Sequence, residues 1–260
     1  MKLGLAAGCA CFFPTALLAS SSGGLATGPA PTSGRTSRLM ADFTGVSQGV
    51  QAMLSTRLGV QGAADLAQDC RARFAALIPA IPDIGPGNRN QESLLEAVWL
   101  TAITQAMTAG GLAARDAGRV LYDLCAEEMN QRPAAGLRAS GQAMFTPKGR
   151  AQLAAWAKAT QQRRYPGDWV GEAVFGDGKS FDVGYDYSQC GAVTFFAAHG
   201  VAQVARHFCL NDFILSRAQG TGLTRAHTLG QGDTLCDFRY KKDGPVSQDW
   251  ESEERRWTAS

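Results

Sequence analysis

The chain has 260 residues, 45% apolar and 18% charged, which suits one globular unit with a sizeable core. Its 30 glycines follow no triplet period and no heptad run is sustained, so collagen and coiled coil are excluded. The formal charge is +2, but the first 39 residues hold Lys2, Arg35 and Arg38 and no acid; without those three, 22 basic groups of the 25 face 23 acidic ones. A near-neutral body argues against a nucleic-acid partner, and no apolar stretch is long enough for a membrane span.

Residues 1–38 read differently from the rest. Lys2 precedes an apolar run over 3–19, interrupted by Pro14, and Ala19-Ser20-Ser21-Ser22-Gly23-Gly24 follows. Charge, apolar centre and small-residue zone come in the order of a secretory signal. The Gly/Ser/Pro/Thr-rich piece 20–37 then reads as a flexible linker. This predicts that 1–38 lie outside the fold and that the protein is periplasmic or secreted; the alternative is a cytoplasmic protein starting at Met40. A single domain is expected over 39–244, with 245–260 a frayed polar tail. With Cys9 and Cys11 set aside, Cys70, Cys125, Cys190, Cys209 and Cys236 remain, an odd number with no CxxC pair.

From about 46 to 164 the pattern is helical. Val50, Met53, Leu54, Leu58 and Val60 recur at helical spacing, as do Leu66, Cys70, Phe74, Leu77 and Ile78 after Asp65. Pro79 and Pro82 end that run, and residues 83–88 form a loop. Further helices are expected around Leu94–Ile103, Val120–Cys125 and 153–162, with 136–149 loop-like. At Tyr165-Pro166-Gly167-Asp168 the character changes. Strands are expected over 169–175 and 181–185 around a Gly176-Asp177-Gly178-Lys179 turn. Helices follow over 189–199 and 201–216, then strands over 223–229 and 235–240. The expected fold is α+β: a helical half followed by an antiparallel sheet of two hairpins, with helices between them and packed on it.

Three places carry reactive groups. If Ser188 caps a helix, Cys190 is its second residue, where exposed N–H groups lower a thiol pKa; the bland reading is a small core residue. Val201, Ala205, Phe208, Asp212 and Leu215 form one helical stripe, which puts an aspartate among apolar neighbours with Cys209 nearby; the bland reading is a solvated edge. In the last hairpin, alternation puts Arg225 with His227 and Asp237 with Arg239, away from Cys236, Phe238 and Tyr240. Cross-strand pairing would gather a base, an acid and guanidinium groups, and an ordinary solvated sheet face explains the same pattern. His199 and His207 have no motif around them. The Cys, His and Asp spacings match no metal site and no cofactor motif is found.

The order Cys190, Phe208-Cys209-Leu210-Asn211-Asp212, Thr228-Leu229-Gly230 and Cys236-Asp237-Phe238-Arg239 resembles the 2-aminothiazoline-4-carboxylate hydrolase family. The resemblance covers about 165–242 well and the helical half in outline. It implies hydrolysis of a cyclic C–N bond in a small carboxylated cyclic amidine, the named substrate opening to a carbamoyl-cysteine, by a Cys190 thiolate or a water activated by Asp212. Cys209 and Cys236 would line or assist the site, Arg225 or Arg239 would hold the substrate carboxylate, and His227 would shuttle a proton. A non-catalytic small-molecule sensor, or a structural Cys209–Cys236 disulfide, are the competing expectations.

Overall fold

The computed structural model describes residues 33–259; the signal-like segment, its Cys9 and Cys11, and most of the expected linker lie outside them. The first helix, α1 (Ser33–Leu77), begins inside the segment expected to be linker. It is a hairpin of two helical arms. Gly59 has φ 73° and ψ 164°, a backbone region open essentially to glycine alone. The Phe43 and Phe74 rings then meet at 4.5 Å, and Arg71 donates to Ser47 Oγ at 3.1 Å across the arms. The reversal leaves Val60 exposed, although the sequence pattern counted it in an apolar run.

Helix α2 (Gln91–Ala109) is buried along most of its length, as its nearly unbroken apolar run requires. It packs on α1, on α3 (Ala114–Gln131) and on α6 (Gly191–Ala198). The stretch expected to be loop holds α4 (Ala134–Gln142). In α5 (Pro147–Thr160), Thr146 caps the start by accepting from Gly149 N, and proline occupies the first turn.

The sheet has the order β1-β2-β4-β3, all neighbours antiparallel. Strands β1 (Val170–Phe175) and β2 (Val183–Gln189) form the first hairpin, with Ala173 opposite Tyr185 and Gly171 opposite Tyr187. Strand β4 (Cys236–Tyr240) inserts beside β2, and β3 (Leu223–Thr224) is only two residues long. The second hairpin is therefore mostly loop, because residues 225–235 turn through a short 3₁₀ segment at Leu229–Gln231. Tyr185 and Tyr187 on β2 and Cys236, Phe238 and Tyr240 on β4 are buried, whereas Asp186, Asp237 and Arg239 are partly exposed. One face thus meets the helices and the other meets water, as antiparallel sheets allow.

Two further expectations change. The helix expected over 201–216 breaks into a 3₁₀ turn, α7 (Ala205–Phe208) and α8 (Asn211–Gln219). The tail expected to fray forms α9 (Trp250–Ala259). Trp250 is 1% exposed, lies 5.4 Å from the Tyr122 ring and stacks on His207. Arg115 and Arg119 on α3 pair with Glu254 and Glu251. Polarity misled here because charged partners on α3 receive the polar face of α9. No helix among the described residues is long and apolar enough to cross a membrane.

Candidate active site

Strand β2 runs to Gln189, so Ser188 is a strand residue and Cys190 itself is the residue before α6. The expected cap is displaced by two positions. Cys190 is half-buried, and burial pushes its thiol pKa up, with the Cys209 and Cys236 thiols adding to the rise. The backbone amides of Val193 and Ala192 pull in the opposite direction and do not win. The helix start is present, but desolvation of a buried thiolate outweighs the favourable partial charge at its N-terminus.

Cys209 lies in the break between α7 and α8, and its buried thiol is raised to about 12 by desolvation, against the lowering effect of Arg225. Cys236 on β4 is raised too, again chiefly by burial. Thr228 joins these two sulfurs: its hydroxyl donates to Cys209 Sγ at 3.4 Å and can accept from Cys236 Sγ at 3.6 Å. Leu229 N–H donates to Cys236 Sγ at 3.2 Å. Gly230 follows where the chain crosses α7; a Cβ there would stand 3.0 Å from Ala205 O and 3.1 Å from Cys209 Sγ. Both cysteines are free thiols, so the expected Cys209–Cys236 disulfide does not form.

Asp212, near the start of α8, is nearly enclosed and pairs with Arg225, Nη1 to Oδ2 2.5 Å. Arg225 Nη2 donates to the Cys209 carbonyl at 2.8 Å. The guanidinium lies between the rings of Phe213 and Phe238, at 5.0 and 4.8 Å. Gln248 fixes the Arg225 backbone at both N–H and C=O. Arg225 therefore points inward, parted from His227 and Arg239, because the strand ends at Thr224 and alternation no longer governs it. His227 is exposed and its backbone N–H is held by Asp237. Arg239 pairs with Asp186 at 2.6 Å on the open face. Arg225, Asp237 and Arg239 still border one shallow hollow with Gln248 and Arg256, and His227 is not in its lining, so the expected grouping forms only in part.

The structure thus links Asp212 to Arg225, Arg225 to the Cys209 carbonyl, and Cys209 to Cys236 through Thr228, with Cys190 facing the two other thiols. Each thiol is raised partly by its neighbours, and Asp212 raises Tyr185, Tyr187 and Tyr240. Sequence reasoning missed the tyrosines. Tyr185 and Tyr240 share a hydrogen bond at 2.9 Å between hydroxyls, and Tyr187 donates to Asn90 Oδ1 at 3.4 Å. Their alternation with Asp186 was the available signal. Arg89 and Trp156 lie at the rim of this cluster, with the Arg89 guanidinium 4.6 Å from the Trp156 ring and 5.7 Å from Tyr185. They also line a cavity of about 770 Å³ between α5, the loop before α2 and the segment before β1. Cys190, Cys209, Asp212 and Cys236 are not in its lining. Among the described residues no group of three His, Cys, Asp or Glu side chains is placed to hold a metal ion.

Helices over one face of an antiparallel sheet, with thiols and an ion-paired carboxylate between, define the chain as an α+β protein. A family model for L-2-amino-thiazoline-4-carboxylic acid hydrolase matches residues 92–240, from α2 through β4 and more than half of the chain. The chain belongs to that family. No curated protein and no solved structure matches it.

Proposed function

We propose that the protein hydrolyses a small carboxylated cyclic amidine of the thiazoline type. The observation that carries the reading is the buried linkage of Cys209 and Cys236 through Thr228 to the Asp212–Arg225 pair, with half-buried Cys190 facing the two thiols, inside the span that the family model matches. Burial keeps the thiols protonated near neutral pH, which favours water over a thiolate as the nucleophile.

In this scheme Asp212 takes a proton from a water as its oxygen bonds to the amidine carbon. The Cys190 thiol protonates the ring nitrogen in this addition; the tetrahedral carbon then collapses with cleavage of the ring C–N bond, its hydroxyl proton passing to the departing nitrogen, which leaves as a neutral amine. Proton return from Asp212 to the sulfur restores both groups. Arg225 orients Asp212 by its charge-assisted hydrogen bond and by its hold on the Cys209 carbonyl. Thr228 keeps Cys209 and Cys236 in register beside them.

The test is steady-state hydrolysis of 2-aminothiazoline-4-carboxylate by the wild type, Cys190→Ala and Asp212→Asn, with thermal unfolding measured in parallel. Each substitution should lower kcat by about 100-fold or more. Cys190→Ala should do so without a large change in Tm. Wild-type rates in both variants would refute the assignment.

A further inference from the structure

The 770 Å³ cavity beside the thiol centre has no part in the scheme above. It lies in the upper part of the range of about 300–1,000 Å³ usual for organic ligands, far more than one five-membered ring with a carboxylate would fill. Its lining is basic. Arg89, Lys148, Arg163 and Arg164 contribute four cations, and Asp168 is the one acid among them. That acid is already engaged: Asp168 accepts from Asn88 Nδ2 at 2.8 Å and from the Trp169 amide at 2.7 Å.

Flat aromatic surface accompanies the charge. Trp156 and Trp169 both line the cavity, and the Arg89 guanidinium lies over the Trp156 ring. The Trp156 indole N–H is buried without a hydrogen-bond partner, a donor whose desolvation is uncompensated until something accepts from it. Arg163 adopts φ 46°, unusual for a side chain of its kind, and its guanidinium is tied to Gln189 Oε1 at 2.8 Å. The strained turn carries Arg163 and Arg164 to the cavity wall.

We propose that this cavity is a binding site for a planar organic anion larger than a single thiazoline ring, its charge met by the arginines and Lys148 and its ring plane by the indoles. The site is separate from the thiol centre, so it stands or falls independently of the hydrolytic reading.

Calorimetric titration of the full chain with quinoline-2-carboxylate and with the neutral quinoline-2-carboxamide tests it. The carboxylate should bind saturably and the amide about 10-fold or more weakly. Lys148 and Arg164 are exposed, so the double variant Lys148→Glu, Arg164→Glu keeps the fold. It should weaken the carboxylate about 10-fold while leaving the amide unchanged. Cys190→Ser should bind the carboxylate with wild-type affinity. Equal affinity for acid and amide, an unchanged affinity after the double charge reversal, or loss of binding in Cys190→Ser would each overturn the proposal.

Discussion

A helix start favours a thiolate, yet at Cys190 burial decides the outcome, and the thiols of Cys209 and Cys236 follow the same rule. All three should therefore react slowly: iodoacetamide labelling of the native protein at pH 7.5, read by mass spectrometry, should lag free cysteine by about 10-fold or more. Labelling as fast as free cysteine would show that the desolvation argument fails. Gly230 has a different sensitivity. Its missing Cβ lets the chain pass against Ala205 O and Cys209 Sγ, so Gly230→Ala should shift the Thr228 hydroxyl away from the two sulfurs. A fall of about 1–3 kcal/mol in unfolding free energy, measured by urea titration, is expected from such overpacking. The sequence exposed these cysteines and Asp212 through their order and spacing. It could not reveal that Arg225 turns inward, since that depends on where β3 stops, nor the role of Thr228, which exists only once two distant sulfurs meet.

At the scale of elements, α9 shows why composition alone misjudged the C-terminus. Its charges are matched across the interface by Arg115 and Arg119, and its two indoles, Trp250 and Trp257, both pack on His207. His207 is 2% exposed, and burial, with Arg206, lowers its pKa to about 4, while Glu254 acts the other way. Since the folded value lies below the unfolded value of about 6.5, the unfolded chain binds the proton more readily. The stabilisation is complete above pH 6.5 and is lost progressively as the pH falls toward 4, by about 3 kcal/mol in all. Urea unfolding of the wild type should weaken across that window, and His207→Leu should flatten this part of the pH dependence. An identical slope in the variant would assign the loss to other groups. The break between α7 and α8 was equally invisible in the sequence, because residues 205–215 keep a helical stripe through it. At the break the backbone bonds tighten, Leu210 N–H donating to the His207 carbonyl and Phe213 N–H to the Leu210 carbonyl, while the Cys209 carbonyl accepts from Arg225.

For the whole molecule, the α+β plan was legible because alanine-rich helical spacing gives way to alternating strands at residue 165 and the turn chemistry near 176–179 is explicit. The sheet order was not, since β4 pairs with β2 through contacts between residues far apart in the chain. Nor was the reversal in α1, where periodicity continues across Gly59 as though the helix were straight. Nothing stands within 4 Å of a Cβ built at that glycine, so the cost of a side chain there is wholly torsional. Gly59→Val would favour a continuous rod, withdrawing Phe43 from its place beside Phe74. The freed limb would then find the same seat on a second copy, an exchange that short-circuits folding into reciprocal embrace. Light scattering after chromatography should show a dimer whose share grows with concentration. One hydrogen in place of a side chain thus keeps each chain's clasp closed on itself.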